Sequence, residues 1–354
     1  MSRDITVVIA DDSALMRKMI KEILESDPVI QVMGAARNGK DAIELVHRYE
    51  PDVVTMDINM PVMDGITALQ TIMMESPRPV VMLSSLTQEG AMTTFECIEL
   101  GAVDFIGKPS GTISVDIDQQ GHEIIEKVKQ AAKSKPGSRL RKKDPPPAAG
   151  LNFSKSKDGI ATRVVAIGVS TGGPKTIMEI VPSLPADLDA AVVMVQHMPV
   201  AFTAPFASRI NASSEIDVCE AKSGDLLRPG HGYLARGGKH MVFAKRSIGA
   251  GAIVRYVNYP NDVPHIPSVD VMMKSAVEVF HSRVTGVLLT GMGADGADGM
   301  VQIRQCGGHT IAEDESTCVV FGMPAQAIQR GGAKHVLPCH DIAEKIVELL
   351  ACHA

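Results

Sequence analysis

Hydrophobic positions follow two alternating rhythms along the first 130 residues. Ile5–Ala10 is a short, nearly continuous apolar run. After it, Leu15, Met16, Met19, Ile20, Ile23 and Leu24 recur at helical spacing, with Ser13 placed to cap that helix. The alternation repeats, strand-like at residues 29–35, 52–56, 79–83 and 103–106, and helix-like at 41–49, around 67–74 and between the last two strands. Short apolar strands alternating with amphipathic helices predict a parallel sheet covered on both faces. A second series opens with a strand at 163–168, followed by a helical face of Ile177, Ile180, Val181 and Leu184, and continues with strands at 191–195 and 284–289. The expected fold class is therefore α/β twice over, with the second unit also a doubly wound parallel sheet.

Between the two series, residues 133–158 carry eight basic residues, two acidic ones and a Pro-Pro-Pro run, with few large apolar residues. That composition is a linker. The expected boundaries are 1–130 for the first domain, 131–158 for the linker and 159–354 for the second domain. A hydrophobic fraction of 45% excludes a mostly disordered chain. A net charge of −6 argues against general nucleic-acid binding, which needs clustered cations. No apolar run approaches the ~18 residues of a membrane span, and the acidic residues at Asp11 and Asp12 do not fit a signal peptide. A soluble cytoplasmic protein without membrane insertion is expected. The six cysteines form no CxxC pair, and nothing completes a zinc set around Cys339-His340 or Cys352-His353.

In a parallel sheet, ligands bind beyond the carboxyl ends of the strands. Asp11 and Asp12 end the first strand and Asp57 ends the third, so the three can share a pocket. Crowded carboxylates repel unless a cation joins them, and all-oxygen ligands with room for water suit Mg²⁺. Ser84 ends the fourth strand with a hydroxyl donor, and Lys108 ends the fifth with a positive charge. Carboxylates, Mg²⁺, hydroxyl and lysine make a phosphoryl-acceptor site with Asp57 as the nucleophile. Taken singly, each residue is as consistent with a helix cap or a common strand end; their order at strand ends is what is specific.

In the second series, Gly168-Val-Ser170-Thr-Gly172-Gly-Pro174 stands between a strand and a helix. This is G-x-S-x-G in the strand–turn–helix setting that lifts a serine nucleophile from its strand. The Thr171 N–H then faces the reaction site at a helix N-terminus. A glycine-rich phosphate loop is the alternative, although neither a Walker A lysine nor a G-x-G-x-x-G fingerprint is present. His197 and Asp295 each follow another apolar strand, so His197 could take the Ser170 proton while Asp295 orients the imidazole. Rivals are His265 for the base and Asp298 for the acid. His231 and His240 lie in a glycine-rich region read as turns, and His281 after a helix reads as structural.

Asp11-Asp12, Asp57 within MDINMPVMDG, Ser84 and Lys108-Pro109 resemble the receiver domain of two-component response regulators. The resemblance implies a flavodoxin-like fold, Mg²⁺ held by Asp11, Asp12, Asp57 and the Asn59 backbone carbonyl, and phosphorylation of Asp57 by a histidine kinase. It also implies a switch role for Phe105 with Ser84 and Lys108, and a cis Lys108–Pro109 bond; Ser85 is a second hydroxyl beside Ser84. IGVSTGGP, VQHMP, PSVDVMM and LLTGMGADGADGM resemble, in order, the catalytic domain of chemotaxis protein-glutamate methylesterases. Together with the receiver and the basic linker, the match covers nearly the whole chain. It implies Ser170, His197 and Asp295 as a triad, and backbone N–H groups of Thr171 and Met292 at the oxyanion. The implied substrates are glutamate γ-methyl esters, and certain glutamines, on methyl-accepting chemoreceptors, with a chemotaxis histidine kinase as phosphodonor and no cofactor for hydrolysis. The resemblance further implies that the unphosphorylated receiver restricts access to Ser170. The competing class is a receiver joined to a non-catalytic binding module; a DNA-binding output is weaker, since no helix-turn-helix pattern occurs.

Overall fold

A computed structural model describes residues 4–85, 87–108, 116–134 and 159–351. The chain divides into two compact units, Met1–Arg139 and Leu140–Ala354. Residues 135–158 of the linker expected at 131–158, the Lys108–Pro109 bond, and Cys352 with His353 lie outside the described residues.

The first unit alternates β1 (Ile5–Ala10), α1 (Ala14–Glu25), β2 (Ile30–Ala36), α2 (Gly39–Tyr49), β3 (Val53–Asp57), α3 (Gly65–Glu75), β4 (Val80–Ser84), α4 (Gln88–Leu100), β5 (Asp104–Gly107) and α5 (Asp116–Ala131). Its strands pair in parallel in the order β2-β1-β3-β4-β5, the flavodoxin-like arrangement. Val7, Val8, Ile9 and the Val80 to Leu83 run are fully buried, as strands covered on both faces must be. The helices start where polar side chains satisfy first-turn N–H groups: Ser13 accepts from Met16 N, Asn38 from Asp41 N, Asp64 from Thr67 N and Thr87 from Gly90 N. Each such cap contributes ~1 kcal/mol. The Asn38 cap explains why α2 begins two residues before the apolar periodicity does.

One turn is strained. Val62 has φ 69° and is 85% exposed, a left-handed conformation that a β-branched residue resists. Val62→Gly is expected to raise stability by ~0.5–1 kcal/mol, the relieved strain less the extra chain entropy of glycine. Urea unfolding at constant m-value would measure it, and an unchanged or lower midpoint would contradict it.

The second unit contains β6 (Val164–Val169), α6 (Gly173–Ile180), β7 (Ala191–Gln196), α7 (Val200–Ser213), β8 (Asp217–Glu220), β9 (His231–Leu234), β10 (His240–Lys245), β11 (Ala252–Val257), α8 (Val269–Phe280), β12 (Val284–Leu288), α9 (Ala297–Gln305), β13 (His309–Glu313), α10 (Met323–Gln329), β14 (His335–Leu337) and α11 (Cys339–Ala351). Seven strands pair in parallel in the order β14-β13-β12-β6-β7-β9-β8. The chain winds outward from β6 through β7 on one side and from β12 on the other. The winding reverses between β6 and β12, and a crevice at such a switch point is where doubly wound sheets bind ligands.

Two local readings need correction. The glycine-rich region read as turns holds β9 and an antiparallel β10–β11 hairpin, whose Met241, Phe243 and Val254 share a core with Met272 and Ala276 of α8. Glycines at positive φ, Gly230 and Gly238, punctuate short strands there instead of forming one long turn. The helical face ending at Leu184 also breaks earlier: α6 passes into a 3-10 turn, Val181–Ser183. Pro182 has no N–H to give the Met178 carbonyl, and its ring crowds that carbonyl. Ile177, Ile180, Val181 and Leu184 are nevertheless all buried.

Candidate active site and phosphoacceptor pocket

In the first unit, Asp11 and Asp12 follow β1, and Asp57 closes the neighbouring β3. One carboxylate oxygen from each lies within 4.8 Å of the others. Asp11 and Asp57 are buried and Asp12 is exposed. Lys108, directly after β5, reaches both buried acids, with Nζ 2.9 Å from Asp11 Oδ2 and 2.7 Å from Asp57 Oδ2. Burial works against the Lys108 charge, but hydrogen bonds to the two carboxylates hold its pKa above the usual lysine value. Burial, with Asp11 alongside, pushes the Asp57 carboxyl upward against the pull of Lys108. Three hard oxygen donors, one open to solvent, fit a cation such as Mg²⁺, which keeps several waters.

The loop after Asp57 returns close to it. The Asn59 N–H donates to Asp57 Oδ1 at 3.4 Å. A Cβ at Gly65 would stand 2.0 Å from the Asp57 carbonyl oxygen, so glycine is required there. Ser84 is 1% exposed; its hydroxyl accepts from Thr94 Oγ1 at 2.7 Å and donates to the Gly90 carbonyl at 3.1 Å. Ser85 is exposed. Phe105 is buried edge-to-face against Phe95, with ring centroids 6.1 Å apart, and Lys127 Nζ lies 5.1 Å from the Phe105 centroid.

In the second unit, Ser170 follows β6 and His197 follows β7, one position beyond the register pair Val169↔Gln196. The His197 N–H donates to the Val169 carbonyl at 3.2 Å, and the Ser170 N–H to the Thr290 carbonyl at 3.0 Å. Gly172, at φ 76°, turns the chain into α6, and a Cβ there would meet Val319 Cβ at 2.5 Å. Gln196 Nε2 donates to both the Ser170 carbonyl (2.9 Å) and the His197 carbonyl (3.0 Å), bridging the two strand ends. The Thr171 carbonyl accepts from Thr290 Oγ1 at 3.0 Å. Met292 follows Gly291, where a Cβ would lie 2.7 Å from Ser170 Cβ. The loops after β6 and β12 thus meet at the switch point.

Asp295 stands 2.9 Å from His197 Nε2 through Oδ2, which also accepts the Val269 N–H at 2.7 Å. Oδ1 accepts from Ser268 Oγ at 2.7 Å and from the Asp270 N–H at 3.0 Å. Burial opposes the charge, but the His197 hydrogen bond and the α8 N–H groups outweigh it and hold Asp295 well below the usual carboxylate range. His197 Nδ1 is buried with no hydrogen-bond partner among the described residues. A neutral ring carrying its proton on Nε2, toward Asp295, leaves a basic lone pair at Nδ1.

The rival residues separate by geometry. His265 reaches the site as a ring stacked on His197, with centroids 4.1 Å apart and planes at 23°. Asp298 pairs with Arg330 at 2.6 Å. His240 is fully buried, with Nδ1 accepting the Ser268 N–H at 3.0 Å and Nε2 2.7 Å from the Pro260 carbonyl, so it anchors the loop leading to α8. His231 Nδ1 lies 3.0 Å from the Pro229 carbonyl, and His281 is exposed. Gln196, Ser268, Thr290 and Thr94 have no role in the sequence reading. Of these only Ser268, an N-cap residue before a helical run, carries a local signal.

A lysine-bridged acidic pocket on one α/β unit, and on the other a serine turn at the strand end next to a His–Asp pair, define a response regulator with a hydrolase-type output unit. The family model for CheB methylesterase matches residues 165–346, and that for the response regulator receiver domain matches residues 7–116. A Carboxydothermus hydrogenoformans protein-glutamate methylesterase/protein-glutamine glutaminase is 52% identical over 98% of this chain and 99% of its own. A Syntrophomonas wolfei protein of the same description is 52% identical over 97% and 98%. The crystal structure of the Thermotoga maritima CheB methylesterase catalytic domain aligns with TM-score 0.51 and 40% identity, covering 53% of this chain and 98% of that one. The chain belongs to the CheB methylesterase family.

Proposed function

We propose that the chain is a phosphorylation-activated protein-glutamate methylesterase and protein-glutamine glutaminase acting on chemoreceptors. The observation that carries this reading is the His197–Asp295 pair beside Ser170, with His197 Nδ1 unpartnered. Ser170 Oγ attacks the γ-carbonyl carbon of a methylated glutamate while its proton passes to His197 Nδ1. The carbonyl oxygen takes the negative charge and is held by the backbone N–H groups of Thr171 and Met292. The protonated imidazole, stabilised by ionised Asp295, returns the proton to the departing methoxide, which leaves as methanol. Water then attacks the acyl-serine, His197 takes its proton and passes it to Ser170, and glutamate is released. A glutamine follows the same steps with ammonia as the leaving group. Asp295 orients and stabilises the ring and takes no proton itself.

The first unit serves as the control input. Asp57 accepts a phosphoryl group from a histidine kinase, with Ser84 and Lys108 drawn to the new oxygens and Phe105 repacking with them. Mg²⁺ held by Asp11, Asp12, Asp57 and the Asn59 carbonyl would neutralise the phosphoryl charge. The phosphorylated state favours the active esterase by population shift, where ~1.4 kcal/mol of differential stability changes the ratio tenfold. Asp57→Asn is expected to keep basal methanol release and to lose all stimulation by a phosphodonor, as measured by methanol assay on methylated receptor. Stimulation that persists in Asp57→Asn would sink this assignment. Against the reading of a non-catalytic binding module, a serine-directed phosphonate is expected to label Ser170; a folded protein that stays unlabelled would favour the module.

A further inference from the structure

Glu313 closes β13 with its side chain fully buried and without an ion-pair partner among the described residues. Its Oε2 accepts the Thr290 N–H at 2.8 Å, and its Oε1 accepts the Thr317 hydroxyl at 2.9 Å. Thr290 is the residue that holds the serine turn: its carbonyl accepts the Ser170 N–H and its hydroxyl donates to the Thr171 carbonyl, both at 3.0 Å. Glu313 therefore stands one residue behind the nucleophile and behind the peptide assigned to the oxyanion. Thr317 Oγ1 also accepts the Cys339 N–H at 2.9 Å, at the start of α11.

This partner set satisfies a neutral carboxyl group. Oε2 keeps the Thr290 N–H. A proton on Oε1 donates to Thr317 Oγ1, whose own hydroxyl hydrogen turns to the Asp314 carbonyl at 3.4 Å. An ionised carboxylate in the same place is a buried charge with no counter-ion. The ionisable groups facing it are Glu179 from α6, Cys318 from the loop after β13 and Cys339 from α11, none of them cationic. Lys175 and His340 act on Glu179. From α9 and α10, Asp298 is paired with Arg330, and Arg304 donates to the Gly331 carbonyl. His335 of β14 is flanked by Lys334 and Lys345. Burial, with Glu179 adding to it, pushes the Glu313 carboxyl up to about 7 against the hydrogen bonds from the Thr290 N–H, the Thr317 hydroxyl and the Cys318 thiol.

We propose that Glu313 is a positioning residue for the esterase reaction: its neutral carboxyl supports the Thr290–Ser170–Thr171 arrangement, and its ionisation limits turnover on the alkaline side. The inference rests on Ser170 as the nucleophile. A negative charge one residue behind the Thr171 peptide opposes the negative charge that develops on the substrate oxygen. Because the folded-state pKa is raised, the stabilising contribution of the neutral group is complete below the usual glutamate value. It is lost as pH rises toward about 7.

Glu313→Gln tests this in the full-length protein, because the amide offers a carbonyl to Thr290 N–H and an NH₂ to Thr317 Oγ1, fixing the neutral pattern. Methanol release and Tm are measured for both proteins from about pH 6 to about pH 8.5. Near pH 6 the two rates are expected to be similar. Near pH 8 the variant exceeds wild type several-fold, with a ceiling of about tenfold if the ionised form is inactive one pH unit above the carboxyl pKa. The Tm of the variant relative to wild type rises as pH approaches about 7 and levels off above it. Superimposed rate profiles, or a Tm difference that ignores pH, overturn the proposal while leaving the esterase reading intact. No methanol from either protein at any pH overturns the esterase reading, and the Tm series still decides whether Glu313 titrates as described.

Discussion

Ser170→Ala is expected to lower methanol release from methylated receptor by ~10⁴-fold or more, because nucleophile, base and acid act as a unit. The fold should survive. The backbone bonds of Ser170 to Thr290 and Gly173, and the bond from Gln196 Nε2, do not involve the hydroxyl. Removing an oxygen at this half-buried position should cost under ~1 kcal/mol. Methanol assay paired with thermal unfolding checks both halves. A variant that unfolds like wild type and still hydrolyses the ester near the wild-type rate would remove Ser170 from the chemistry.

Asp295→Asn is expected to lower kcat by ~10⁴-fold through the wrong imidazole tautomer. In the native site Asp295 only accepts hydrogen bonds: from His197 Nε2, Ser268 Oγ and the N–H groups of Val269 and Asp270. An amide NH₂ in this pocket must face one of those donors. Turned toward His197, it draws the ring proton to Nδ1, where the lone pair is needed. Turned the other way, it sets a donor against the Asp270 N–H. The variant also loses an electrostatic contribution to stability. Since the Asp295 pKa is depressed on folding, that contribution is present above the usual aspartate value and fades as pH falls below it. Ring ¹⁵N shifts of His197 are expected to show the proton on Nε2 in the wild type and on Nδ1 in the variant. A variant with wild-type kcat and an unmoved ring proton would contradict this.

How much of this was legible in the residues varies with distance along the chain. Asp11, Asp57, Ser84 and Lys108 in the first unit, and Ser170, His197 and Asp295 in the second, each end or follow a short buried apolar run, and each unit's own parallel sheet gathers such ends on one edge. Period and punctuation were therefore enough to group them. The helix start at Ser13 was equally local, since a cap acts within three residues. The partners that hold these groups were not legible. Gln196 bridging two strand ends, Thr94 on the Ser84 hydroxyl and Glu313 behind Thr290 depend on which strands become neighbours and in what register. The β10–β11 hairpin escaped because its strands are short and glycine-punctuated, and what fixes them is packing on α8. His265 and His197 could be ranked by position alone, whereas their stacking is a product of the loop that His240 anchors.

Ester hydrolysis at Ser170 is governed, on this mechanism, by phosphorylation at Asp57. The direct test is methanol release from methylated receptor by the full-length protein, measured before and after adding a small-molecule phosphodonor with Mg²⁺, alongside Ser170→Ala. The predicted result is basal release that rises on phosphorylation in the wild type and is absent from Ser170→Ala under both conditions. A wild-type rate that ignores the phosphodonor, or release that persists in Ser170→Ala, would contradict it.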